Sequence, residues 1–372
     1  MVVKEANKCY IVDENGNKLI DTTMGSGAQI IGHNNPLMRK IATQVKKGTI
    51  YTIPNSYTKS VNSYLKLINP DLNKEYIFCN SGTEANMRAI RLARAYTGKS
   101  IVGRFHGGWH GGLDGFLEEH PDNKGIPSDI NNLFKVLPYN DNKCFDLITP
   151  DMAAVIIEPV QGSNPRNDIG EFLQKLRDHC TKTGVLLILD EIMTGFRLSK
   201  NGGSGIFNVK PDIITYGKVL GGGFPIGAVG GKTEIMNTTN VFYGGTFSSN
   251  PLSMYASKLI LETIISKKYI DYDYLNSLGR LFREKLNKFF INNNKKMRVI
   301  GCGPLNRIIF TDKFVRNRKD RDLFEPINSQ KLFTDKLKKS GVFLNNNGLF
   351  HFSMSHTPKI INKIVKIIIN ES

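Results

Sequence analysis

Short apolar runs alternate with longer segments of helical periodicity from about residue 75 onward. Helical patterns cover 83–96 and 172–183. The runs that predict buried strands are 76–79, 101–105, 153–158 and 186–190. This alternation is typical of a mostly parallel sheet with helices on its faces. The predicted fold class is therefore α/β.

The two ends of the chain show a different pattern. Apolar segments at 9–12 and 18–21 flank Glu14-Asn15-Gly16, and an Asn-Gly pair between two strands favours a β-hairpin. Longer helices at 251–265 and 272–292 are followed by short strands at 299–300, 307–311 and 350–353 and by a last helix at 360–369. We predict a large domain over 51–265 and a smaller α+β domain over 266–372, which the N-terminal segment 1–50 joins.

Composition narrows the class of protein. Of the 372 residues, 40% are hydrophobic and 22% are charged, so the chain can bury a sizeable core. Lysine and arginine number 50 against 33 acidic residues, which gives a net charge of +17. A basic balance suits nucleic acid or anionic small molecules. The lysines are dispersed, however, and no helix-turn-helix, zinc-finger or RNP pattern accompanies them, so nucleic acid is not an expected partner.

The cysteines and the first residues bear on the compartment. Five cysteines are scattered without a Cys-x-x-Cys pair, which argues against a disulfide framework and a zinc ribbon. No metal is expected. Residues 1–8 lack the apolar stretch of a signal peptide, and runs such as 184–189 are too short to cross a bilayer. We expect a cytoplasmic protein without a membrane segment.

Candidate chemistry begins at 80–84, where a strand gives way to a helix. Ser81 and Glu84 have capping-box spacing, so a helix N-terminus is predicted here. Its free N–H groups and positive dipole end suit a phosphate, and Gly82 lets the backbone come close to such an anion. A capped helix without any ligand has the same pattern, so this segment alone leaves both interpretations open.

Asp190 ends the apolar run 186–190, at the edge where open α/β sheets bind their ligands. A buried carboxylate at that point needs a cationic partner, such as a protonated pyridine nitrogen, a metal or a lysine. Taken alone, Asp190 is equally suited to cap the helix that follows.

Lys218 lies among glycines and apolar residues in the segment 215–228. Poor hydration in such surroundings lowers the pKa of an amine and makes it a nucleophile. No Ser or Thr follows Lys218, which excludes a Walker phosphate loop. A surface lysine beside a flexible loop is the alternative.

The three segments together favour one kind of site. A phosphate cradle, a strand-end aspartate and a desolvated lysine are what pyridoxal phosphate requires: an anchor, a partner for its ring nitrogen and a Schiff-base amine. Trp109 follows another strand and is suited to stack on the cofactor ring, while a core or surface position also fits its pattern.

On these residues, the sequence resembles class III (fold type I) pyridoxal-phosphate-dependent aminotransferases, and among them most closely glutamate-1-semialdehyde 2,1-aminomutase. The matching segments cover nearly the whole chain in the family's order: 32–36, 80–94, 108–111, 158–160, 190–197, 211–231, 244–251 and 356–357. The resemblance implies pyridoxal 5'-phosphate as cofactor, bound by the large domain. It also implies a homodimer with shared active sites.

The resemblance further implies roles for individual residues. Lys218 is expected to form the Schiff base and Asp190 to keep the ring nitrogen protonated, which makes these two catalytic. The remaining expected cofactor contacts are Ser81, Gly82 and Thr83 at the phosphate, Trp109, His110 and Met193 (or Ile192) around the ring, and Thr246 at the phosphate of the neighbouring subunit's cofactor. Weaker candidates for substrate contacts are Ser26, Glu158 and Arg197. Structural roles fit His110, Glu158 and Arg197 equally well.

Departures from the aminomutase pattern concern the substrate side. Aminomutases carry Ser-Trp-Gly near the segment 25–27, a family glutamate aligns with about Gly348, and 161–166 also differs. We therefore predict a transaminase that moves an amino group between an amine donor and a small or sugar-like carbonyl acceptor in a ping-pong reaction. The alternative is the aminomutase, which forms 5-aminolevulinate. A non-catalytic pyridoxal-phosphate sensor is a third class, which the lack of a DNA-binding module before the hairpin disfavours.

Overall fold

Helices and strands form over residues 1–51, 53–72 and 75–372, the residues described in the computed structural model. The helices of these ranges are α1 Leu37–Val45, α2 Ser56–Ile68, α3 Gly82–Thr97, α4 Gly170–Thr183, α5 Gly202–Phe207, α6 Thr233–Met236, α7 Pro251–Ser266, α8 Tyr272–Asn292, α9 Arg318–Phe324, α10 Ser329–Lys339 and α11 Pro358–Glu371. The strands are β1 Val3–Asn7, β2 Tyr10–Asp13, β3 Lys18–Asp21, β4 Ile77–Cys79, β5 Ile101–Phe105, β6 Phe134–Leu137, β7 Met152–Ile157, β8 Leu186–Asp190, β9 Ile213–Tyr216, β10 Gly227–Gly231, β11 Arg298–Cys302, β12 Leu305–Ile309, β13 Val342–Phe343 and β14 Leu349–His351.

The described residues group into two units. The central unit consists of Ile41–Gln161 and Asp168–Glu262. The terminal unit consists of Met1–Lys40, Gly162–Asn167 and Thr263–Ser372. The domain boundaries inferred from the sequence, at 50 and 265, stay a prediction.

The sheet of the central unit has the strand order β4-β10-β9-β8-β7-β5-β6. Strands β5 to β9 pair in parallel, whereas β10 is antiparallel to both β4 and β9. Every residue of β7 and of β8 is buried, as expected where helices cover both faces of a parallel sheet. The α/β class with a mostly parallel sheet is therefore confirmed.

Helix α3 packs against β7, β9 and β10 of this sheet. Its buried face carries Ala85, Ala89 and Ala93, whose small side chains let the helix lie close to the strands. The helix ends at Gly98, where a φ of 69° forms a left-handed cap that glycine adopts without steric cost. The helix predicted over 83–96 thus begins one residue earlier and ends one residue later.

The terminal unit begins with the predicted hairpin. Strands β2 and β3 pair antiparallel, and the carboxylate of Asp13 accepts the N–H groups of Asn15 at 3.0 Å and Asn17 at 2.8 Å. Gly16 in this turn has a φ of 82°, a conformation that favours glycine. The sheet is completed as β1-β2-β3-β13, in which β13 joins β3 in parallel.

Helices α8 and α11 supply much of the core of the terminal unit. They bury Phe282, Leu286, Ile364 and Ile368 together with Phe350 of β14. A second, antiparallel sheet has the order β11-β12-β14. The last helix starts at Thr357, whose hydroxyl accepts the N–H of Ile360 at 3.3 Å, as its cap pattern predicts. In the described ranges, no helix is long and apolar enough to span a membrane.

A buried histidine of the terminal unit makes stability depend on pH. Nδ1 of His356 accepts the N–H of Ser353 at 3.1 Å, and burial lowers the pKa of His356 from 6.5 to about 4. Between these values the unfolded chain binds a proton that the folded chain does not. As the pH falls from 6.5 to 4, we expect the free energy of unfolding to decrease by about 3 kcal/mol through this group.

Urea unfolding at several pH values between 4 and 7 measures this dependence. In the His356→Asn variant, the free energy of unfolding should depend less steeply on pH, because asparagine does not titrate in this range. The exposed Lys363 on α11 provides a control, and Lys363→Gln should keep the wild-type slope. An unaltered slope in His356→Asn would contradict the prediction.

Candidate active site

Asp190 lies at the carboxyl end of β8, where it is buried and held by three donors. Its Oδ2 accepts the Nδ2–H of Asn86 at 2.8 Å and lies 2.7 Å from Nδ1 of His110. Its Oδ1 accepts the N–H of Ile192 at 3.0 Å. These contacts fix the carboxylate in one orientation. A group that must face a ligand atom requires such a fixed orientation. Asp190 therefore does more than cap the turn that follows β8.

Asn86 joins the helix α3 to the sheet and was not singled out from the sequence. Its Nδ2 also donates to the carbonyl of His110 at 3.0 Å, and its Oδ1 accepts the hydroxyl hydrogen of Thr215 at 2.8 Å. The available signal was a polar residue within the buried alanine face of α3. A buried polar side chain is costly without partners, so its position alone indicates a hydrogen-bond network.

Lys218 follows β9 and Gly217 on a short 3-10 turn. Its backbone φ of 41° lies in the left-handed region, which is strained for a residue other than glycine and is often found at functional sites. Burial lowers the pKa of Lys218, while the nearby carboxylates of Glu158 and Asp190 raise it and Arg197 lowers it. The residue as a whole is half-buried, and the amine is poorly hydrated.

The N-terminus of α3 has the predicted cap. The hydroxyl of Ser81 accepts the N–H of Glu84 at 3.2 Å, and Oε2 of Glu84 accepts the N–H of Asn80 at 2.5 Å. The first turn of a helix leaves N–H groups without intrahelical acceptors, and Gly82 and Thr83, which belong to this turn, are partly exposed. The segment therefore offers an anion the positive end of the α3 dipole.

Ile192 packs between this helix start and the lysine turn. A Cβ on Gly82 would lie 2.6 Å from Cδ1 of Ile192, and one on Gly217 would lie 3.4 Å from its Cγ2. Glycine at 82 is thus needed for this close approach. Of the two residues expected behind the cofactor ring, Ile192 occupies the space between the phosphate segment and Lys218, and Met193 is half-buried beside it.

The loop after β5 reaches the same place. The N–H of Gly112 donates to Oγ1 of Thr83 at 3.2 Å, and Gly111, with a φ of 97°, leaves no room for a side chain against Thr83. The N–H of Trp109 donates to Oε1 of Glu158 at 2.8 Å. Trp109 is 56% exposed, and its ring centroid lies 5.9 Å from that of His120.

His110 and Arg197 are both buried in the central unit. His110 contacts Asp190 directly, as described above, and its ring centroid lies 5.2 Å from that of Phe116. Nε of Arg197 donates to the carbonyl of Met193 at 2.8 Å. Both residues therefore brace the loop and the strand end that carry the carboxylates, and Arg197 adds a positive charge near Lys218.

Thr246 and Ser26 are two further expected site residues. Thr246 is exposed in the segment 241–247, which Arg88 anchors through the carbonyl of Gly244 at 3.1 Å. Ser26 belongs to the terminal unit, where it is exposed in a turn. In that turn the four residues 24–27 all have positive φ. The role of Thr246 at the neighbouring subunit's cofactor and that of Ser26 at the substrate stay predictions.

The assembled groups can bind an anionic group at α3, face a protonated ring nitrogen with a carboxylate, and present a reactive amine. Comparisons with known proteins agree with this chemistry. Residues 1–367 match the family described as aminotransferase class-III. A protein named glutamate-1-semialdehyde 2,1-aminomutase from Sulfolobus acidocaldarius is 34% identical over 98% of this chain and 91% of its own length.

Solved structures show the same similarity in three dimensions. An omega-transaminase from Sphaerobacter thermophilus superposes with a TM-score of 0.91 at 26% identity, covering 100% of this chain and 90% of its own. A structure described as a transaminase with PLP bound gives a TM-score of 0.88 at 25% identity, again over 100% of this chain and 90% of its own. These similarities span the central and the terminal residues alike.

Proposed function

Because this chain belongs to the class III aminotransferases, we propose that it is a transaminase acting between an amine donor and a small or sugar-like carbonyl acceptor. Its fold is fold type I and its cofactor is pyridoxal 5'-phosphate. The proposal concerns the reaction and its substrates. The proposal rests on residues expected to contact the substrate, which differ from the aminomutase pattern.

The residues of the central unit suit this cofactor. Ser81, Gly82 and Thr83 would bind the phosphate at the start of α3, where N–H groups and the helix dipole favour an anion. The oriented carboxylate of Asp190 would face the ring nitrogen. Trp109 would stack on one face of the ring. Ile192 and Met193 would pack on the other, with His110 fixing Asp190 from behind.

Pyridoxal 5'-phosphate, when bound, supplies an aldehyde for amines and an electron-accepting ring for the pair left by a broken C–H bond. Lys218 would hold the aldehyde carbon until an amine donor replaces it. Its freed Nζ would then accept the α-proton of the donor and later return it. Asp190 would keep the proton on the ring nitrogen, and so stabilise the negative charge that develops during proton removal.

The main reason to prefer a transaminase over an aminomutase is Gly348. We expect a glutamate of the aminomutases to align with about this position, whereas here glycine has a φ of 71°, and a Cβ would collide with the side-chain amide of Gln330. A side chain at 348 is therefore excluded unless Gln330 moves. The turn 25–27, with the exposed Ser26 at its centre, departs from the aminomutase pattern as well. The cofactor residues are kept while residues expected on the substrate side have changed.

Glutamate-1-semialdehyde 2,1-aminomutase is the second candidate. The observation that favours it is the name of the relative from Sulfolobus acidocaldarius and of a further relative from Staphylococcus saprophyticus at 36% identity. An aminomutase uses the same lysine and aspartate but moves the amine within one molecule. The two candidates therefore differ in substrate and not in the catalytic residues.

A homodimer with shared sites is part of the proposal. Phe242 and Phe247 are 75% and 58% exposed on either side of Gly244-Gly245-Thr246. Large apolar side chains exposed in one segment are typical of surfaces that a partner covers, and they support a role for Thr246 at the neighbouring subunit's cofactor. The five cysteines are buried and free, which supports a reducing compartment such as the cytoplasm.

Absorbance spectroscopy of the purified, cofactor-loaded protein tests the reaction. We expect L-glutamate to change the near-visible absorbance of the bound cofactor with release of stoichiometric 2-oxoglutarate, because a transaminase completes its first half-reaction with the donor alone. In a parallel cuvette, 4,5-diaminovalerate serves as the diagnostic compound for the aminomutase. A response to 4,5-diaminovalerate and none to L-glutamate or to other amino acids would overturn the proposal in favour of the second candidate.

A further inference from the structure

A cavity of about 450 Å³ lies in the terminal unit, between β12, α9 and the start of α10. Its lining contains neither Lys218 nor Asp190 nor the start of α3, although Ser163 of the segment 161–166 belongs to it. Cationic side chains line much of it: Arg307, Arg318, Arg321 and Lys331. The acidic side chains in its lining are Asp322 and Glu325. Positive charge therefore exceeds negative charge around this space.

Arg307 on β12 is the most deeply placed of these cations, with a side chain that is 5% exposed. Nη1 donates to the carbonyl of Asn347, and Nη2 lies 3.8 Å from Oε2 of Glu325. Among the described residues, Nε is buried without a hydrogen-bond partner. Burial and the charge of Arg321 lower the pKa of Arg307 to about 9, as expected for a cation that is poorly compensated.

The neighbouring carboxylates are engaged with other groups. Oδ1 of Asp322 accepts from Nη2 of Arg321 at 2.5 Å, and its Oδ2 accepts from Nε of Arg318 at 3.1 Å. Oε1 of Glu325 accepts the N–H of Phe310 at 3.0 Å, and its Oε2 lies nearer to Nε of Arg321 than to Arg307. Arg307 is thus left as a buried cation whose main charge partner is shared and distant.

Helix α10 adds further donors to the same cavity. Its cap residue Asn328 has a φ of 64° and makes no side-chain capping hydrogen bond, and residues 328–331 line the space. Both amide atoms of Gln330 are buried without a partner among the described residues. The N-terminus of this 11-residue helix therefore lies at the cavity beside Arg307, where the positive end of the helix dipole favours an anion.

We propose that this cavity binds the phosphate or carboxylate group of a small metabolite. A planar guanidinium is matched to such an oxyanion, which it binds through charge-assisted hydrogen bonds. The recessed position of Arg307 and the size of the cavity suit a small molecule. The inference does not depend on which amine donor or carbonyl acceptor the enzyme uses.

Calorimetric titration of the cofactor-loaded protein with inorganic phosphate tests the proposal, with succinate titrated separately as the carboxylate probe and sodium chloride at equal ionic strength as the blank. Loading with pyridoxal phosphate keeps the α3 site out of the measurement. We expect saturable binding of phosphate, succinate or both at one site per chain. The preferred probe identifies which of the two groups the site takes.

Two variants locate the site. Arg307→Gln should weaken binding of the preferred probe at least about tenfold, since it removes a buried charged donor. Because a buried arginine also contributes to folding, the exposed Lys331→Gln is the second variant, with an expected weakening of about threefold. Lys338→Gln, on the exposed last turn of α10, should bind as the wild type does. Heats equal to those of the chloride blank, or wild-type affinity in Lys331→Gln, would overturn the proposal.

Discussion

The Lys218→Ala variant is expected to transfer amino groups at least about 10³-fold more slowly than the wild type while it keeps its fold. The side chain supplies an amine whose pKa burial lowers, and alanine offers neither a nucleophile nor a proton acceptor. Alanine accepts the left-handed backbone at this position about as well as lysine does. The free energy of unfolding should therefore change by only about 1 kcal/mol. Turnover with L-glutamate and a carbonyl acceptor, together with calorimetry, measures both effects.

Lys200 provides a matched control in the same unit. It is exposed and lies three residues after Arg197, so Lys200→Ala should retain wild-type turnover. The Lys218→Ala protein should also fail to show the near-visible absorbance of a covalently held cofactor when pyridoxal phosphate is added. Retention of more than a tenth of the wild-type rate would show that a different group provides the amine.

The Asp190→Asn variant is expected to bind the cofactor but to slow proton removal from the donor by about 10²–10³-fold. An amide of the same shape cannot hold a proton on the ring nitrogen, and its NH₂ group would meet the donors that Asn86 and Ile192 already direct at this position. Binding should persist because the substitution leaves the proposed phosphate contacts at the start of α3 unchanged. Single-turnover stopped-flow with L-glutamate and with its α-deuterated form measures the step.

A larger deuterium isotope effect should accompany the slower rate, because C–H cleavage then limits the half-reaction. A merely structural role for Asp190 would lower the amount of folded protein without changing the isotope effect. Asp146 is exposed in the same unit, and Asp146→Asn should behave as the wild type. A half-reaction within about threefold of the wild-type rate would mean that another group protonates the ring.

Local patterns predicted the elements that carry these groups. The apolar run 186–190 is strand β8 with the same bounds, and the capping-box spacing at Ser81 does start a helix. Such features depend on neighbours within a few residues, through periodicity, turn chemistry and capping. They were enough to place Asp190 at a strand end and Lys218 on a glycine-rich turn, and the match to the class III family followed from these segments in order.

The tertiary structure alone decided what surrounds them. Asn86 contacts Asp190 across 104 residues of sequence, and that contact depends on the strand order and on which face of α3 meets the sheet. The contact of Gln330 with Gly348 likewise involves residues of separate elements, and so does the lining of the cavity around Arg307.

The sequence by itself thus determined the family, the α/β fold class and the candidate catalytic pair, because strand ends and glycine turns leave local signatures. The orientation of Asp190, the strained turn of Lys218 and the poorly compensated charge of Arg307 came only from the folded chain. The physical reason is that hydrogen bonding and desolvation of a buried group depend on partners brought together by long-range packing, which no local pattern encodes.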